Sequence, residues 1–231
     1  MTARDVGVVI VAAGSSSRTG DGELKQFRWV AGRPMLLHTL QLFQSRADVA
    51  MVVCVLPREF AGDPPPWIFQ SDTERMLVSV GGRTRAESVR NGIADLTPDC
   101  RIVLVHDAAR PLVPMEAVDR VVDAVRAGTS AIAALPVVDT LKEVGIDGRR
   151  IVRTVERAGL WRAQTPQGFP REVLLRAHRA AEDGGYDATD DAALVERIGE
   201  PVVVVRGSER AMKVTDAADF DRAEAMYALG D

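Results

Sequence analysis

Cysteine, basic charge and long apolar runs are all scarce in this 231-residue chain, and each shortage removes a class of function. Its two cysteines, Cys54 and Cys100, lie far apart in apolar stretches, so they read as small reduced core residues rather than a disulfide framework. The three histidines, His38, His106 and His178, stand at no ligand spacing from one another or from the cysteines, which leaves no pattern for structural zinc. Lysine and arginine total 29 against 33 acidic residues, a formal net charge of −4. A sequence-independent grip on DNA or RNA needs a basic face, so no nucleic-acid partner is expected. A small anionic substrate stays compatible, because a few cations suffice for a local positive pocket. No apolar stretch approaches the length of a membrane span, so no membrane partner is expected. The first residues pass into a short apolar run without a signal-peptide pattern, which points to the cytoplasm. Repeats and low-complexity tracts are missing, and Pro64-Pro65-Pro66 reads only as a stiff surface connection.

What is present is ordinary globular composition, 46% hydrophobic and 27% charged, over a length that can bury a full core. Val6–Ala13 is a continuous apolar run, as in a strand buried on both faces of a parallel sheet. Further strands are expected at Met51–Leu56, Met76–Val80, Ile102–His106, Ser130–Leu135, Val202–Arg206 and Met212–Val214. Helical spacing marks Pro34–Ser45, Thr84–Leu96, Pro114–Ala127, Arg171–Glu182, Thr189–Ile198 and Asp216–Leu229. The alternation predicts an α/β fold: a Rossmann-like, doubly wound, mostly parallel sheet with ligands at the strands' carboxyl ends. One domain spanning residues 1–231 is expected. Its rhythm breaks at Pro136, after which about 137–157 is polar and β-prone, with Asp147-Gly148 as a hairpin turn. So polar a hairpin cannot form a core pair, so it is expected to project as an arm that needs a partner to pack against.

Three segments carry chemistry. After the first strand, Ala12-Ala13-Gly14-Ser15-Ser16-Ser17-Arg18 offers small residues whose successive N–H groups can surround phosphate oxygens, with Arg18 and Lys25 as cationic donors. Neither the G-x-x-x-x-G-K-[ST] nor the G-x-G-x-x-G element occurs. Gly81-Gly82 opens a helix, where free backbone groups of Gly82 and Arg83 can read a base edge and Ser88 can donate to a carbonyl. His106-Asp107 ends an apolar strand, and Asp107 suits magnesium or a sugar hydroxyl. Singly, each segment also reads as a plain turn or a helix cap.

In series they say more. Ala12-Ala13-Gly14…Arg18…Lys25, Gly81-Gly82…Arg85…Ser88-Val89, His106-Asp107-Ala108-Ala109-Arg110-Pro111 and Asp139-Thr140-Leu141-Lys142 come in order. Glu156–Trp161, Gln164-Thr165-Pro166-Gln167, Thr189-Asp190-Asp191-Ala192 and Lys213-Val214-Thr215 follow. From Val9 to about Leu229 the chain resembles the 2-C-methyl-D-erythritol 4-phosphate cytidylyltransferases, which join CTP to methylerythritol phosphate in the non-mevalonate isoprenoid pathway. The resemblance implies a nucleotide-diphospho-sugar transferase type of fold. It implies that Ala12, Ala13, Gly14, Ser15 and Ser16 hold CTP, with Gly82, Arg83 and Ser88 at the cytosine. Arg18, Lys25, Lys213 and Asp107 would be catalytic, and Arg110, Thr140, Arg157, Thr165 and Thr189 would surround methylerythritol phosphate. It also implies Mg2+, held by Asp107 or by the CTP phosphates alone, and a homodimer through the arm that carries Thr140 and Arg157 to the neighbouring site. The chain departs from the family's usual proline at Val11, glycine at Ser16, acidic residue at Arg83 and asparagine at Ala211.

The implied chemistry is in-line attack of a substrate phosphate on the α-phosphorus of CTP, with pyrophosphate leaving. The attacking oxygen is already anionic, so no general base is needed, and the sequence offers no nucleophile–base constellation. A ribitol 5-phosphate cytidylyltransferase is the runner-up, but Arg157–Trp161 and Thr165–Phe169 favour methylerythritol phosphate. A regulatory nucleotide-binding protein on the same scaffold would not need both Lys213 and Arg157.

Overall fold

The computed structural model describes residues 3–14 and 24–230. In chain order its strands are β1 (Val6–Val11), β2 (Trp29–Val30), β3 (Arg33–Pro34), β4 (Val49–Leu56), β5 (Met76–Val80), β6 (Ile102–Asp107) and β7 (Ser130–Pro136). Then come β8 (Leu141–Val144), β9 (Ile151–Val155), β10 (Trp161–Pro170) and β11 (Val202–Arg206). The helices are α1 (Met35–Gln44), α2 (Arg58–Ala61), α3 (Arg85–Ala94), α4 (Met115–Arg126), α5 (Arg171–Gly184), α6 (Asp191–Arg197) and α7 (Ala217–Ala228).

Seven strands form the central sheet in the order β11-β7-β10-β6-β1-β4-β5. β1 pairs parallel with β4 and β6, β4 with β5, and β7 with β11, while β10 is antiparallel to both its neighbours. The side-chain period of two divides the apolar strands between two cores. Val8, Ile10, Val52, Cys54 and Leu104 meet α1 and α4 on one face. Val9, Val53, Val55, Val103 and Val105 meet α3, α5 and α6 on the other. A third, smaller cluster seats α7 through Phe220 and Ala223 against Val30, Met35, Leu112 and Val214. This is the α/β sheet that the alternating pattern predicts, with most element bounds within a few residues of those expected.

Two differences matter. The ten residues of β10 were not expected as a strand, because Gln164, Thr165, Pro166, Gln167 and Gly168 look like a loop. Pro is excluded from central strands unless the ladder is interrupted, and here it is: the register with β7 shifts between Ala163 and Gln167. Met212–Val214, in contrast, is not a strand. A 3-10 turn at Glu209–Ala211 precedes it, and the Val214 N–H donates to the Ala109 carbonyl at 2.8 Å.

The arm forms as its composition suggests. β8 and β9 pair antiparallel as a two-stranded sheet of their own. At the tip Gly148 adopts φ +66°, where glycine is favoured. The Asp147 carboxylate accepts from the N–H groups of Arg149 and Arg150. Ile151 and Val152 are 57% and 60% exposed in the isolated chain. Among the described residues no helix is long and apolar enough to cross a membrane.

Candidate active site

After β1, β4 and β5 the chain crosses back over β1 to place β6, so β4 lies on one side of β1 and β6 on the other. In such sheets the crevice at this switch point takes the ligand. A cleft of about 530 Å³ opens there, bordered by Ala12, Ala13 and Gly14 after β1, by Asp107, Ala108 and Ala109 after β6, and by Lys25, Gly82, Arg85 and Lys213. Val11 and Asp107 are register partners, so the two strands deliver their loops at the same level.

The small-residue loop is held from two sides. The Gln26 side-chain amide donates to the Ala12 carbonyl at 2.5 Å, which ties the loop to the turn bearing Lys25. The Ala12 N–H donates to the Val55 carbonyl, and Gly81 N–H to that of Leu56 at 2.7 Å. A Cβ on Gly81 would lie 2.3 Å from that of Ala13, so the two glycine-bearing loops close on each other only because Gly81 lacks one.

The turn before α3 corrects one expectation. Its N–H groups are not free: Gly82 N–H donates to the Ser88 hydroxyl at 3.0 Å, and Arg83 N–H to the Glu87 carboxylate at 2.8 Å. Ser88 in turn donates to the Thr84 carbonyl, and Thr84 caps the helix by accepting from Glu87 N–H. The turn is thereby pre-formed, and any ligand placed against it would have to exchange these bonds or meet the carbonyl side.

Asp107 is the electrostatic centre of the cleft. The Lys213 ammonium lies 2.9 Å from one carboxylate oxygen, with the Arg110 guanidinium at 3.7 Å from that oxygen and the Arg85 guanidinium at 3.7 Å from the other. Burial alone would raise the pKa of this acid, but Lys213, then Arg85 and Arg110, together hold it down to about 2. Asp107 is therefore ionised throughout the physiological range. Arg110 is largely enclosed: its Nη1 donates to the Ala211 carbonyl at 2.6 Å, and its Nε has no hydrogen-bond partner. Ala211 thus serves Arg110 through its backbone, whatever its side chain.

Behind Asp107 runs a relay of neutral groups. Its N–H donates to the Thr165 hydroxyl at 3.1 Å, and Thr165 lies 3.1 Å from His106 Nδ1. His106 Nε2 faces the Arg110 carbonyl, which can only accept, so Nε2 carries the proton and Nδ1 accepts from Thr165. Full burial lowers the His106 pKa to about 4, which keeps the ring neutral. A hydroxyl beside a histidine was not expected, and it has the outline of a nucleophile and its base. However, Thr165 is buried and bonded on both sides, so the pair anchors the Asp107 backbone instead.

Ser15, Ser16, Ser17 and Arg18 lie outside the described residues. Thr140 and Arg157 stand on the exposed arm, away from this chain's cleft, with the Arg157 guanidinium donating to the Val138 carbonyl. Thr189 is exposed in the turn before α6. Gln26 stands in none of the sequence motifs, while Arg85, His106 and Asp191 stand in theirs without an assigned role. Arg85 Nη1 donates to the fully buried Asp191 at 2.6 Å, and His178 Nε2 donates to the same carboxylate at 3.0 Å. A signal existed for Arg85, a second arginine in the first turn after a double glycine, whereas Asp191 read simply as a residue of a helix start.

Asp107 is one carboxylate, and among the described residues no group of three or more His, Cys, Asp or Glu could hold a metal. A single ionised carboxylate fits magnesium only where other oxygens fill its shell, since that ion takes one or two carboxylates and completes its coordination with ligand oxygens and water.

A doubly wound sheet, a small-residue loop at its switch point and a lysine–aspartate pair beneath it define a nucleotidyltransferase. The comparisons make this specific. The family model described as IspD, 2-C-methyl-D-erythritol 4-phosphate cytidylyltransferase, matches residues 6–228, and the chain belongs to that family. A cytidylyltransferase of that name from Streptomyces coelicolor is 46% identical over 229 residues, which cover 95% of this chain and 84% of the relative. Its counterpart from Frankia casuarinae is 43% identical over 227 residues, covering 98% and 82%. The crystal structure of the Thermus thermophilus 2-C-methyl-D-erythritol 4-phosphate cytidylyltransferase superposes with a TM-score of 0.81 at 37% identity, covering 97% of this chain and 99% of that one.

Proposed function

We propose that the cleft at the ends of β1 and β6 joins CTP to 2-C-methyl-D-erythritol 4-phosphate, giving 4-diphosphocytidyl-2-C-methyl-D-erythritol and pyrophosphate, a step of isoprenoid biosynthesis. The observation that carries this is Lys213 Nζ poised 2.9 Å from Asp107 at the floor of the cleft, under the Ala12–Gly14 loop. CTP lies along that loop, its phosphates against Lys25 and Lys213, with Ser15, Ser16 and Arg18 completing the cradle. Gly82, Arg83 and Ser88 face the cytosine. Asp107 orients Lys213 and takes a hydroxyl of the ribose or of the second substrate. An oxygen of the substrate phosphate attacks the α-phosphorus in line as the bond to pyrophosphate breaks. Catalysis is then positioning of two anions plus stabilisation of the charge gathering at the α-phosphorus. Asp107 is the residue of the cleft that would hold magnesium alongside the CTP phosphates, where the ion would supply further positive charge.

Methylerythritol phosphate binds beside Thr165, Thr189 and Arg110. The exposed apolar residues of β9 support a homodimer through the arm, which brings the partner subunit's Thr140 and Arg157 to the site. Cytoplasmic residence belongs to the same reading, and it is supported by Cys54 and Cys100, both buried and free.

Pyrophosphate release with CTP, magnesium and either methylerythritol phosphate or ribitol 5-phosphate tests it. Release is expected with methylerythritol phosphate, and Lys213→Ala should lower kcat by roughly 100- to 1,000-fold. No release with either substrate would refute the reaction; preference for ribitol 5-phosphate would replace the acceptor.

A further inference from the structure

Arg85 lies between two carboxylates and treats them unequally. Its Nη1 donates to Asp191 at 2.6 Å, while its Nη2 stands 3.7 Å from Asp107 without a hydrogen bond. The stronger contact is thus to the acid that never sees the cleft, since Asp191 is 0% exposed. Asp191 is fixed from several directions. Its N–H donates to the Gln167 side-chain carbonyl at 3.1 Å, and one carboxylate oxygen accepts from His178. His178 is itself buried, with Nδ1 left without a partner. A buried unpaired nitrogen is unfavourable, so simple packing does not explain a histidine here; the bond to Asp191 does.

The competition for Asp107 gives this arrangement a purpose. A guanidinium can take both oxygens of a carboxylate in a fork, as an ammonium cannot. Arg85, released from Asp191, is near enough to close on Asp107 in that way and cover the oxygen that now holds Lys213. We infer that Asp191 is a positioning residue: by clamping Arg85 it reserves Asp107 for Lys213. This rests on the reading of Lys213 as the lysine at the reacting phosphates.

The test uses pyrophosphate release, with melting temperature measured alongside, on wild type, Asp191→Asn and the double variant Asp191→Asn/Arg85→Gln. Displacing Lys213 by about an ångström should lower kcat of Asp191→Asn roughly 10- to 100-fold. Its KM for CTP should change little, because Asp191 is fully buried and meets no substrate; general loosening of the pocket would raise it. Removing Arg85 as well takes away the competitor, so the double variant should turn over about tenfold faster than Asp191→Asn. It also removes both charges of a buried pair together, which spares the fold more than removing one. Wild-type kcat in Asp191→Asn, a raised KM with unchanged kcat, or a double variant no faster than the single would overturn the inference. Should Asp191→Asn fail to fold, the double variant decides: kcat within about tenfold of wild type supports the clamp, and a folded protein slowed a hundredfold or more refutes it. Wild type releasing no pyrophosphate would instead overturn the reaction assignment, a distinct failure.

Discussion

Thr165→Val is the most informative single change to the relay beneath Asp107. Valine matches threonine in shape but has no hydroxyl. The hydroxyl lies 3.1 Å from both the Asp107 N–H and His106 Nδ1, and all three groups are buried. The substitution therefore leaves one donor and one acceptor without partners, each costing about 1–3 kcal/mol. The added methyl offsets this by at most about 0.8 kcal/mol. A net loss of roughly 1–5 kcal/mol should lower the melting temperature by about 2–20 °C in a domain of this size. Thr165→Ser keeps the hydroxyl and loses one buried methyl, so it should cost only about 1 kcal/mol. Thermal unfolding followed by circular dichroism at neutral pH would then rank wild type above serine above valine. Valine as stable as serine would refute the relay and leave Thr165 only its proposed place beside the second substrate.

Acid should destabilise the protein before its carboxylates titrate. Burial holds His106 near 4, so between about pH 6.5 and 4 the unfolded chain binds a proton that the folded one does not, and stability falls as pH drops, by on the order of 3 kcal/mol in total. Burial also lowers the pKa of His38 and acts in the same direction. Urea midpoints that stay constant from pH 7 to 4.5 would contradict this. Gly81→Ala forces a methyl to within 2.3 Å of Ala13 Cβ. Overpacking of about 1–3 kcal/mol that displaces the loop should weaken CTP binding roughly 5- to 150-fold in calorimetry, and wild-type affinity would show that the loop yields freely. Finally, Ile151→Glu with Val152→Glu should give a folded monomer by sedimentation that still binds CTP but turns over methylerythritol phosphate poorly. A persisting dimer, or a fully active monomer, would count against the arm as interface.

The parallel core was legible because β1, β4, β6 and β7 are buried on both faces and so appear as unbroken apolar runs. β10 was hidden by the same logic. It lies in the middle of the sheet, yet its polar residues are buried for their hydrogen bonds: Gln164 to the Ser208 carbonyl and Gln167 to Asp190. Hydropathy reports burial only when burial is apolar. Val214 misled in the opposite direction, since it is buried by α7 packing rather than by a ladder. At the site, Asp107, Lys25 and Lys213 were readable as charges at strand and loop ends. The partners that fix their geometry were not, because pairings such as Arg85 with Asp191 span more than a hundred residues. The bonding of the Gly82 and Arg83 N–H groups was unreadable for a different reason. It depends on how tightly the turn folds back onto Glu87 and Ser88.

β10 also determines where the chain tolerates changes in length. It leaves the arm at Trp161, opposite Pro136, and reaches Gln167 between β6 and β7, with Thr165 in the interrupted stretch between. Residues added at the hairpin tip only lengthen a projecting ribbon, so homologous chains are free to carry arms of different reach. One residue added or lost between Trp161 and Gln167 would reverse which face each side chain occupies. Thr165 would then turn away from His106, or Gln167 from Asp191, and Asp107 would lose the neighbour that holds its backbone. Assembly can diversify at one end of this strand while the other end stays fixed by the cleft.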